Sequence, residues 1–117
     1  MPLFEALRRR LLPQHPRIMK KFLFISYGFE TPTPEIMAAW GQWFGSMQER
    51  IVEQSMLGPG QSFAKGGDVA AVSGQSGGAT GYLIFEAADL EEAQKLASQC
   101  PVIERNVLQE LISMGAC

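Results

Sequence analysis

The apolar positions of this chain follow two different periods. In residues 21–27, KFLFISY, both alternating sets are apolar: Phe22 and Phe24 on one side, Leu23, Ile25 and Tyr27 on the other. A strand with one wet face alternates with polar residues, so this pattern predicts a strand covered on both faces. Residues 82–86, YLIFE, repeat it, with Tyr82 and Ile84 set against Leu83 and Phe85. Between the two segments the spacing changes to steps of three and four, through Ile36, Trp40, Trp43, Phe44, Met47 and Ile51. That stripe predicts one amphipathic helix, capped by Thr33, with Pro34 in its first turn and Glu35 near the positive end of its dipole. The stripe carries the expected helix past Ile51, toward the Gly58-Pro59-Gly60 breaker.

Gly41 and Gly45 interrupt this helix. Each costs roughly 1 kcal/mol relative to alanine, which leads us to expect close approach of another backbone or of a ligand. Residues 57–63, LGPGQSF, predict a second strand with an irregular or edge start. Lys65-Gly66-Gly67-Asp68 predicts a turn, residues 69–73 a short returning strand, and residues 74–81, GQSGGATG, a flexible loop. Asp89 and Glu92 form a D-x-x-E capping signature. The stripe Leu90, Ala93, Leu96, Ala97 and Cys100 predicts a second helix, stopped by Pro101, and residues 107–114 close the chain as a strand. The order β-α-β-β-(β)-α-β predicts an α+β, ferredoxin-like two-layer sandwich with both helices on one face of an antiparallel sheet. The opposite face is then also apolar. Its simplest cover is the same face of a second copy, which predicts a homodimer.

Composition narrows the class further. With 117 residues, 46% of them hydrophobic and 19% charged, the chain suits one globular domain. Its net charge of −2 argues against nucleic acid as a partner, since phosphate recognition needs a basic patch. No apolar run reaches the ~20 residues that cross a bilayer, so no membrane association is expected. Residues 1–18 read as an N-terminal appendage: Leu3, Phe4, Leu7 and Leu11 suit one side of a short amphipathic helix that touches a partner or a membrane surface, and the duller alternative is that Met19 is the true start. Residues 19–117 form the domain. The run lacks the order of charge, apolar core and cleavage site of a secretory signal. Cys100 and Cys117 make neither a disulfide framework nor, without clustered histidines, a zinc site. A cytoplasmic protein with reduced thiols, no cofactor and no metal is expected.

Five stretches together resemble a known family: the opening MKKFLFISYGF, the TPEIMAAWGQWF helix, LGPGQSF, GYLIFEA followed by DLEEA, and the Cys-Pro at the end of the second helix. From about Met19 to Met114 the chain resembles the YCII-related family and its DGPF-type relatives. The resemblance implies a dimeric α+β barrel built from two ferredoxin-like units. Some members pair a histidine on the first helix with an aspartate before the proline that follows the second helix. Here Trp43 stands near the histidine position and Cys100 at the aspartate position, while GQSGGATGY replaces the DGPF motif and the sole histidine, His15, lies in the appendage. The family dyad is therefore missing from the domain.

Candidate binding residues follow from the architecture. A pocket between the central helix and the sheet would gather Tyr27, Gly28, Trp40, Trp43 and Gly58, with plain core packing as the alternative for the two tryptophans. Cys100 reads either as a reactive group or as a small buried hydrophobe, and the C-terminal end of a helix does not favour its thiolate. Glu30, Glu35 and Glu86 are carboxylates without a defined partner. The leading expectation is a homodimeric small-molecule-binding protein; the alternatives are a cofactor-free enzyme acting on a small aromatic or oxygenated substrate, and a purely structural dimerisation module.

Overall fold

The computed structural model describes residues 19–113; the appendage at 1–18 and the thiol of Cys117 lie outside them. The described chain is α+β: β1 (Lys20–Tyr27), α1 (Pro34–Met47), β2 (Ile51–Met56), β3 (Gly60–Phe63), β4 (Val69–Val72), β5 (Ala79–Ala87), α2 (Leu90–Ala97) and β6 (Arg105–Glu110). Four strands form one antiparallel sheet in the order β2-β5-β1-β6, an arrangement compatible with a ferredoxin-like sandwich. Among the described residues β3 and β4 pair only with each other.

Both helix starts follow their sequence signals. Thr33 Oγ1 accepts from the Ile36 amide at 3.2 Å with Pro34 at the first helical position. Asp89 Oδ1 accepts from the Glu92 amide at 2.8 Å, and Glu92 Oε1 in turn accepts from the Ala88 amide at 2.9 Å. Each bond satisfies an amide that has no partner within its own helix.

The end of α1 differs from expectation. The helix stops at Met47, and Ile51, expected as its last apolar position, opens a strand opposite Phe85. The reason is tertiary. The Arg50 carbonyl accepts from the Glu86 amide at 3.0 Å, and the Arg50 guanidinium bonds the Glu86 carbonyl at 3.2 Å and the Glu92 carboxylate at 3.0 Å. Pairing with β5 thus captures residues that helical spacing alone would leave in α1. The β-branched pair Ile51-Val52 is the local hint, since such side chains favour strands. Consequently the sheet's second strand is β2, whereas the predicted strand at 57–63 shortens to β3 and joins β4 in a separate hairpin. Every residue from 60 to 71 of that hairpin is exposed, including Phe63 and Val69. The predicted loop at 74–81 shrinks to a single 3₁₀ turn, Gly74–Ser76, because β5 already begins at Ala79.

Alternation along β1 and β5 sorts the side chains onto two faces. Phe22, Phe24, Leu83, Phe85 and Ala87 are buried and join Trp43, Met47, Ala93, Ala97 and Cys100 in one core cluster. Both helices therefore cover the same sheet face. On the opposite face Leu23, Ile25, Tyr82, Ile84 and Val107 are half-buried.

Gly41 and Gly45 also depart from expectation. Both are exposed, and a Cβ added to either would meet nothing within 4 Å. They lie away from the buried Trp43 and Met47, so no close approach among the described residues explains them.

Candidate functional site

A cavity of about 460 Å³ opens between the N-terminal half of α1 and the sheet. Its origin lies in the sizes of the side chains that successive rows of the sheet present to the helix. Phe22 faces Phe85 across β1 and β5, Phe24 faces Leu83, and Ser26 faces Gly81. The filling falls from two aromatic rings to a hydroxymethyl and a hydrogen. α1 keeps to its course above this step, so space is left beneath Ile36 and Trp40.

Aromatic rings form the wall opposite the sheet. Trp40 lies edge-on to Trp43 with centroids 6.3 Å apart and stacks on Phe44 at 5.6 Å, while Trp43 contacts Phe24 at 5.5 Å. Such offset and edge contacts hold the rings in fixed relation. The Trp43 indole nitrogen donates to the Leu96 carbonyl at 2.9 Å, which ties α1 to α2 and leaves only the ring of Trp43 facing the space. Trp43 therefore serves the core and the cavity together.

Gly28 shapes the floor. Its φ of +102° suits glycine alone, and an added Cβ would come within 2.6 Å of the Glu104 Cβ and 3.0 Å of the Glu104 amide nitrogen. This contact draws residues 103–104 against the end of β1 and brings Ile103 onto the cavity wall. Thr80 Oγ1 donates to the Ser26 carbonyl at 3.0 Å, bracing β1 next to the irregularity between Ser26 and Tyr27.

Of the residues singled out from the sequence, Tyr27, Gly28, Trp40 and Trp43 border this cavity. Gly58 sits in the connection between β2 and β3 and is not among the lining residues. Cys100 is buried beneath α2, its thiol 3.4 Å from the Pro101 carbonyl, and it also lies off the wall. Burial pushes the thiol up to about 12, against a smaller opposing effect of the Asn106 hydrogen bond. At neutral pH it is a protonated core group and no nucleophile. Glu30 lies on the wall, while Glu35 and Glu86 do not. Ser26, Gly81, Met56 and Asn106 line the cavity without any sequence signal, because only the strand register brings them together.

Neither the protein-family models nor the curated proteins compared with this chain match it. The site must therefore be read from its own chemistry. Two further features bear on that reading. The Tyr82 hydroxyl donates a hydrogen bond to the Glu53 carboxylate on the sheet face turned away from α1, and this bond holds the phenol above its ordinary range. The Arg105 guanidinium stacks 4.1 Å from the centre of the Tyr27 ring and is not itself on the wall. Among the described residues no group of three or more His, Cys, Asp and Glu side chains is placed to hold a metal ion, and no helix is long and apolar enough to cross a membrane.

Proposed function

We propose that this protein is a small-molecule-binding domain of the YCII-related type, acting as a homodimer with the ligand held between α1 and the sheet. The observation that carries the reading is the aromatic-walled cavity. Its volume falls within the roughly 300–1,000 Å³ of ordinary ligand sites, and both tryptophans of the chain stand on its wall. The domain has no histidine on α1, and the Cys100 thiol lies buried off the wall. Binding without catalysis therefore fits the side chains present.

The half-buried apolar face of Leu23, Ile25, Tyr82, Ile84 and Val107 supports the dimer. Packing that face against its two-fold mate would remove a contiguous apolar surface from water and give the dimeric α+β barrel. Sedimentation should find a species of twice the 12.9 kDa chain mass at micromolar concentration; a monomer alone would sink this part of the proposal. For the site, intrinsic fluorescence is a selective probe because no tryptophan lies elsewhere. Binding of a small aromatic compound should shift or quench the emission, and Trp40→Ala should abolish the response. A panel of such compounds that leaves the emission unchanged would overturn the binding reading.

A further inference from the structure

The polar groups of the cavity point to a ligand class. On the helix-facing side of the sheet, one transverse row runs Met56, Gly81, Ser26, Asn106 across all four strands. Its polar members are neutral. The Ser26 hydroxyl forms no hydrogen bond with another described side chain or backbone group, although Ser26 borders the cavity. The Asn106 amide nitrogen is spent on the Pro101 carbonyl at 3.3 Å, which leaves its side-chain oxygen as an acceptor. Glu30, exposed at the edge, is the one charged side chain among the described lining residues, and the Trp43 N–H is already engaged. An anion entering this space would lose its hydration and meet no cation among the described lining residues. Arg105 is stacked on the Tyr27 ring and is not among the lining residues.

We infer that the cavity takes an uncharged, flat aromatic molecule carrying a single carbonyl or hydroxyl group, with the ring against Trp40 and Trp43 and the polar end directed to Ser26. This rests on the cavity being the ligand site. The aromatic wall supplies contact area with little selectivity, so discrimination falls to the neutral polar side chains, Ser26 and Asn106 in one row and Gln54 beside it. A carbonyl receives the Ser26 proton; a hydroxyl donates to Ser26 or to the Asn106 oxygen. A carboxylate in the same position would face that oxygen without charge compensation.

Three probes on one ring system test this by calorimetric titration of the full chain: 2-acetylnaphthalene, 2-naphthoate and the 2-naphthylmethylammonium ion. The expected result is binding of the ketone at least tenfold tighter than of either ion. Ser26→Ala should weaken the ketone about five- to tenfold, with near-ultraviolet circular dichroism and the thermal midpoint unchanged. Equal or tighter binding of the carboxylate or the ammonium ion overturns the ligand class but leaves the cavity as the binding site. A ketone affinity unaltered by Ser26→Ala and by Asn106→Ala overturns the role given to the polar row. If none of the three binds, the inference falls together with the binding function on which it rests.

Discussion

The two ends of α1 lie over the same sheet and end in different environments. At the C-terminal end, Met47 packs on a surface where Phe22 and Phe85 are fully buried and their rings lie 6.0 Å apart. At the N-terminal end, Met37 is 63% exposed and Trp40 only half-buried above Ser26 and Gly81. The helix is regular throughout, so the difference comes from the sheet. One end is built for stability and the other leaves room for a guest, within a single element of fourteen residues.

If that contrast is right, the largest effect should come from opening the closed end. Phe85→Ala should destabilise the protein by about 3–5 kcal/mol in urea titration; a loss below about 1 kcal/mol would mean that this end is as loose as the other. A second effect comes from the reverse change. Ser26→Phe extends the aromatic filling into the vacant row and should abolish binding of 2-acetylnaphthalene while altering stability by less than about 1 kcal/mol, because the new ring enters existing space and avoids the strain of overpacking. A large destabilisation here would indicate that the row is already full.

Trp43→Phe keeps a ring at the junction of the two ends but removes the indole bond to the Leu96 carbonyl. The expected cost is about 1 kcal/mol, seen as a lower denaturation midpoint with an unchanged denaturant slope. Gly41→Ala and Gly45→Ala alter only the solvent side of the helix and should each raise stability by about 0.5–1 kcal/mol. Destabilisation by either would reveal a layer packed on that side. The smallest effect is confined to alkaline pH. The folded Cys100 thiol sits near 12, above its ordinary value of 9.0, so its contribution is fully present below pH 9 and declines as the pH rises toward 12. Compared with Cys100→Ala, the wild type should lose stability more steeply in that window, and parallel curves would show that the thiol is not held out of water.

Much of the scaffold is legible in the residues themselves. Thr33-Pro34 and Asp89-x-x-Glu92 announce both helix starts, because a cap is a contact between near neighbours in sequence. The two-sided apolar runs at 21–27 and 82–86 fall on the two central strands for a similar reason: a strand flanked on both edges and packed on at least one face carries that signature within itself. Ile51 was misleading because it continues the three- and four-residue spacing of α1, and nothing local outweighs that pattern. Tyr27, Gly28, Trp40 and Trp43 could be anticipated around a pocket from aromatic content and the strand's end. Gly58 and Cys100 lie elsewhere, since proximity in the chain to a helix end or a strand start does not establish a shared cavity.

What the chain determines alone is therefore where its helices begin, that residues 21–27 and 82–86 are strands, and that one helix carries two tryptophans on its buried stripe. Only tertiary pairing decided that α1 stops at Met47, that β2 replaces its continuation, and that Ser26 stands beside Gly81 and Asn106. Those outcomes depend on hydrogen bonds between residues distant in sequence, above all the Arg50 contacts to Glu86 and Glu92. The cavity exists because strand register aligned the smallest side chains of β1 and β5, and register is a property of the assembled sheet.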